Sequence, residues 1–159
     1  MATQFTGDFD TVGTLDGSSP CTREFDVKSG AAASIEVGDL VTVDDGNAGY
    51  VKKAADGASN AREWVGRACK ASTDTASADG VVEVEFAPSG LIVRGLVTTV
   101  GNLAQTIIGT RVTLDVASGV QKVDENDTTN GVLRVLSYVS TSGEETIDVI
   151  VPCHLTHVS

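Results

Sequence analysis

Apolar residues recur at every second position in short bursts along the chain. Glu24-Phe-Asp-Val27 alternates polar with apolar, Val41 shares a face with Val43, and Val82, Val84 and Phe86 alternate with Glu83 and Glu85. A period of two is the mark of a strand with one buried face. Turn residues stand between the bursts: Ser29-Gly30, Gly38-Asp39, Asp44-Asp-Gly-Asn-Ala-Gly49 and Pro88-Ser-Gly90, where glycine and asparagine accept a positive φ at little cost. The pattern predicts strands over 23–27, 40–43, 50–53, 64–69 and 81–86, and again over 91–97, 107–114, 120–123, 132–136 and 147–149. Only 100–105 has a helical flavour, and its Val, Thr and Gly content suits a turn equally well. The fold class read from this pattern is all-β.

The second set of strands repeats the first. Gly38-Asp-Leu-Val-Thr-Val-Asp44 returns as Gly109-Thr-Arg-Val-Thr-Leu-Asp115, an offset of 109 − 38 = 71, and the same frame sets Arg23 against Arg94, Phe25 against Leu96, Gly30 against Gly101 and Val37 against Ile108. Further on, a hairpin two residues shorter aligns Lys53 with Lys122; Arg67 meets Arg134, and Val82-Glu-Val84 meets Ile147-Asp-Val149. This is an internal duplication of one small β unit. It predicts a β-barrel or β-sandwich of two similar halves, 23–88 and 94–152, inside a single domain spanning 23–159. Val41 and Val112 should then face inward together, and Thr42 and Thr113 outward. Residues 1–22 are rich in Thr, Gly, Asp and Ser, with Phe5, Phe9, Val12 and Leu15 isolated among them. These have no core to form with one another, which predicts an extended N-terminal arm that orders against a neighbouring subunit or partner.

Composition narrows the picture. Aromatics are only 4% of the chain against 41% hydrophobic residues, so Val, Ile, Leu and Ala must fill the interior. A net charge of −11 repels nucleic acid phosphate and argues against direct DNA or RNA binding. No apolar run is long enough to cross a bilayer, and the N-terminus lacks a signal-peptide pattern, so synthesis in the cytoplasm and no membrane partner are expected. Cys21, Cys69 and Cys153 form no C-x-x-C pair, and their odd number suits a reducing compartment.

Candidate chemistry is thin. His154 and His157 stand near Cys153, but spacing fixes no further ligand. Asp44-Asp45-Gly46-Asn47 and Asp124-Glu-Asn-Asp127 are oxygen-rich yet lack the alternating Asp spacing of a calcium loop. Ser89 sits outside a Gly-x-Ser-x-Gly elbow, and the pairs Glu83 with Glu85 and Glu144 with Glu145 lack the aromatics that hold a sugar. The expectation is a non-enzymatic protein with no catalytic, metal or cofactor residues. Trp64, the only tryptophan, reads as a core plug or as an anchor at a subunit interface.

Taken in order, Thr22-Arg-Glu-Phe-Asp-Val27, Val37-Gly-Asp-Leu-Val41, Trp64-Val-Gly-Arg-Ala68, Ile108-Gly-Thr-Arg-Val-Thr-Leu-Asp115 and Ile147-Asp-Val-Ile-Val151 resemble the capsid cement, or decoration, proteins of tailed phages. The resemblance implies a compact β domain that binds the major capsid protein on the outer surface of the virion and bridges adjacent capsomers. With it goes a homotrimer at local threefold axes, or alternatively a dimer, because one small domain offers each shell subunit only a small patch. Phe5, Phe9, Val12, Leu15 and Trp64 are the expected capsid or subunit contacts. The alternative reading is a carbohydrate-binding or adhesin-type β module on a virion or cell surface.

Overall fold

The computed structural model describes residues 9–30, 34–141 and 145–153. Eleven strands account for its regular structure: β1 (Asp10–Thr14), β2 (Cys21–Val27), β3 (Leu40–Val43), β4 (Tyr50–Lys53), β5 (Trp64–Ala68), β6 (Gly80–Phe86), β7 (Leu91–Leu96), β8 (Arg111–Ala117), β9 (Val120–Asp124), β10 (Leu133–Val139) and β11 (Thr146–Val151). Two single 3₁₀ turns, Ala61–Glu63 and Gln105–Ile107, are the only helical pieces described. The fold is all-β.

Strands β2 to β6 close into a five-stranded barrel in the order β2-β4-β3-β5-β6. Strands β7 to β11 form a curled sheet, β7-β11-β10-β8-β9, with the same neighbours in the same order, and β1 is added on the outer edge of β7. The closing contact recurs as well. Val27 pairs with Val51 in parallel, and a single parallel bridge joins Val97 to Val123 at the corresponding place. Each half is one unit of the duplication, the first a closed barrel and the second a curled sheet held at that place by one bridge.

The pairings correct parts of the alignment. On β3 and β8 the offset of 71 stands: Val41 pairs with Gly66 and Val112 with Leu133, and both valines are fully buried. Along β2 and β7 the offset is 97 − 27 = 70, which makes Glu24, and not Arg23, the counterpart of Arg94. Between β4 and β9 it is 123 − 51 = 72, so the counterpart of Lys53 is Glu125 and the second hairpin is longer, not shorter. Turn chemistry is the reason. The second hairpin continues its ladder to Ala117–Val120 and reverses through Ser118 (φ 52) and Gly119 (φ 78), whereas the first leaves its ladder at Val43–Val51. Turn type fixes register. The in-frame glycines are explained by backbone shape, since Gly30 (φ 70) with Gly101 (φ 93), and Gly38 (φ 96) with Gly109 (φ 82), all occupy the left-handed region.

Two cores result. Val27, Ile35, Val41, Val51, Val65, Val82 and Val84 fill the barrel. The larger core lies inside the curled sheet and includes Leu91, Val93, Leu114, Leu133 and Ile147, together with Leu40, Ala54 and Trp64 from the first half. Strands β3 and β5 thus bury both faces, Val41 and Val65 towards the barrel and Leu40 and Trp64 into the second half. This overturns the outward placement of Thr42 and Thr113, which are both buried. Gln121 stitches the halves: its side chain accepts from the Leu40 N–H at 2.7 Å and donates to the carbonyls of Leu40 and Ala54 at 3.1 Å each. The Leu40 carbonyl also accepts from the Ala54 N–H at 2.8 Å, so the amide matters most for the Leu40 N–H and the Ala54 carbonyl, which lie in the interior.

Residues 9–22 are not a free arm. Phe9 is buried in the second core, β1 pairs antiparallel with β7, and β2 already begins at Cys21. The isolated apolar residues do not form a core with one another; Phe9 instead fills one supplied by distant strands, lying so close to Gly95 that a Cβ there would sit 2.3 Å from its ring. Phe5 lies outside the described residues.

Candidate interaction surface

The most distinctive exposed feature is an open groove of about 610 Å³ on the outer face of the second half, lined by Leu15, Ala61, Arg111, Val132, Arg134, Ile150 and others. Its position follows from the duplication. Leu40 and Trp64, through which the first half docks on the second, have Arg111 and Gly131 as their counterparts, at offsets of 111 − 40 = 71 and 131 − 64 = 67. Where the first half carries two large apolar side chains, the second carries an arginine and a glycine. Gly131 also permits a close crossing, because a Cβ there would lie 2.3 Å from the Arg111 backbone.

Two arginines face each other at the groove. In the first half Arg67 stands opposite Glu85 on the neighbouring strand, and its guanidinium donates to that carboxylate at 2.9 Å and to the Phe9 carbonyl. The equivalent pair in the second half is Arg134 opposite Ile150, so the counter-ion is missing. On the other side Arg134 faces Arg111 directly across the ladder. Like charges placed opposite each other on adjacent strands repel. Both arginines are exposed, and neither side chain has an ion pair or hydrogen bond among the described residues. By contrast Arg94 makes a two-pronged contact with Asp148 at 2.8 and 3.0 Å, and Lys28, Lys52, Lys53 and Lys70 all have carboxylate partners. In a chain of net charge −11 this is a local basic, apolar-floored surface suited to carboxylates.

No family model, no curated protein and no solved structure matches the chain.

The expected contact residues separate into two groups. Phe9 and Trp64 are each 1% exposed and belong to the core that joins the halves, so neither presents a surface to a partner. Val12 and Leu15 are exposed, at 49% and 53%, and Leu15 forms part of the groove. The arginines were in view in the sequence as duplicated positions. Their significance depended on the loss of Glu85's counterpart, which becomes visible only once strand register is known.

Other titratable groups have local explanations. Hydrogen bonds from Ser18 and Thr14 hold Asp16 down to about 2. Asp79 is lowered well below the carboxylate range by the Ser29 N–H, the Tyr50 hydroxyl and Lys28, and so pins β2, β4 and the turn before β6. Burial first, then hydrogen bonding to Glu83, raises the Cys69 thiol. Burial, with Asp56 and Asp124 nearby, raises Asp115. Among the described residues no three His, Cys, Asp or Glu side chains come together in a way that would hold a metal ion.

Proposed function

We propose that this chain is a structural cement protein of a tailed-phage capsid, bound to the outer surface of the shell and bridging adjacent capsomers. The observation that supports this reading is the Arg111–Arg134 pair, without counter-ions among the described residues, beside the apolar Leu15, Val132 and Ile150. Such a surface suits a protein partner that brings carboxylates and an apolar side chain together; fully desolvated arginine and apolar anchors are what concentrate binding energy at interfaces. The partner in this reading is the major capsid protein, and a homotrimer multiplies a small patch into useful avidity. The acidic remainder of the surface fits the outside of a shell better than the side facing packaged DNA.

Co-sedimentation with expanded, protein-only shells of the phage that encodes the chain tests the proposal. Saturable binding is expected, and Arg111→Glu with Arg134→Glu should weaken it by about tenfold or more. Absence of saturable binding by the unmodified protein rejects it.

A further inference from the structure

The two halves differ at one edge. In the second half β1 lies against β7, with Asp10 opposite Arg94, Gly13 opposite Ile92, and the Leu15 N–H bonded to the Gly90 carbonyl at 3.0 Å. With the offset of 70 for these strands, the counterparts of Arg94, Ile92 and Gly90 are Glu24, Thr22 and Pro20 on the first half. Nothing in the chain occupies that edge among the described residues: β4 reaches β2 only at Asp26 and Val27, and residues 21–24 are all exposed.

Backbone direction shows which groups are free. Glu83 gives its carbonyl to the Cys69 N–H at 2.9 Å, and Val81 gives its own to the Thr73 N–H at 3.0 Å. Alternation along β6 therefore turns Val82, Val84 and Phe86 towards β2, where they meet Phe25, Arg23 and Cys21. Thr22 and Glu24 consequently direct their N–H and C=O groups away from β6, at the same places where Ile92 and Arg94 receive β1. An edge of this kind is a template for an added strand.

We propose that the free edge of β2, at Thr22 and Glu24, binds an extended segment of the shell protein in antiparallel pairing, as β1 binds β7. The choice of partner rests on the capsid reading; the presence of the edge does not. A second copy of this chain fits poorly in the twofold registers centred on Thr22, Arg23 or Glu24. Centring on Arg23 opposes two arginines, and centring on Glu24 opposes two carboxylates and requires Asp26, which already pairs with β4. Centring on Thr22 brings Glu24 opposite Pro20, which has no N–H to give. A different chain escapes these conflicts, and a lysine or arginine opposite Glu24 would mirror Asp10 opposite Arg94. Together with the arginine groove on the second half, the edge gives one domain two separate contacts, which is what bridging requires.

The test uses shells and the full chain. Thr22→Pro removes one outward N–H without touching the ladder to β6, and Glu24→Lys reverses the charge on the same edge. Both should keep the melting temperature of the free protein while lowering shell occupancy at limiting protein by about tenfold. In the unmodified protein, deuterium exchange of the backbone over 21–25, read by mass spectrometry, should slow on binding. If Thr22→Pro perturbs folding, Glu24→Lys and the exchange measurement decide. Wild-type occupancy by a folded Thr22→Pro variant, or exchange over 21–25 as fast on the shell as off it, overturns strand addition alone. Failure of the unmodified protein to bind shells overturns the capsid reading, and this partner with it.

Discussion

At the scale of single residues, one buried amide is fully used while two surface cations face each other. Gln121 supplies hydrogen bonds to three backbone groups of the first half, whereas Arg111 and Arg134 oppose each other on adjacent strands without counter-ions among the described residues. Asp115 is a second mismatch. Burial raises it most, followed by Asp56 and Asp124, so the folded state holds its proton more tightly than the unfolded chain does. Stability from this group is therefore present at low pH and is lost as pH rises from the ordinary carboxylate value of 3.8 through the raised folded value. Asp115→Asn should melt higher than the wild type at pH 7, with the difference disappearing below about pH 3.8, as thermal denaturation at several pH values would show. An Asn variant no more stable at pH 7 would mean that the three carboxylates are already well solvated.

At the scale of elements, β1 is the least expected piece. Read alone, the stretch from Asp10 to Thr14 has too few apolar residues for a strand with a core of its own, yet it pairs along β7 while Phe9 plugs the second core. Arg67 fastens the same segment by donating to the Phe9 carbonyl. Phe9→Ala should accordingly cost about 3–5 kcal/mol in chemical denaturation, the usual range for emptying a buried phenylalanine site. Truncation to residue 20 should lower the melting temperature markedly, because it removes both the plug and the strand. A truncated chain as stable as the intact one would contradict the placement of β1.

For the whole molecule, the asymmetry between two copies of one unit matters more than their likeness. The first half closes on itself and spends its outer face, through Leu40 and Trp64, on the second; the corresponding face of the second half stays open. An open face and a strand edge that no described residue covers, on opposite units, favour association with something else. In the proposed function the protein forms trimers, or failing that dimers, and sedimentation at micromolar concentration should reveal them. A protein that stays strictly monomeric even on the shell would exclude stapling by an oligomer.

The all-β class, ten of the eleven strands and the likeness of the two halves were legible in the chain alone, because alternation with period two and glycines at positive φ are local properties that survive in a linear reading; β1 was not. Gly38 and Gly109, and Val41 and Val112, needed no partner to be recognised as equivalents. Tertiary structure decided what depends on strands far apart in the chain: the slips to offsets of 70 and 72, the burial of Thr42 and Thr113, and the use of Phe9 and Trp64 inside the molecule. The candidate surface belongs to this second class. Arg134 looks like Arg67 in the sequence, and only the register that sets one against Glu85 and the other against Ile150 and Arg111 separates a neutralised ion pair from an open basic site. Cross-strand neighbours are fixed by folding and not by spacing along the chain, so electrostatic context was the part that linear pattern did not contain.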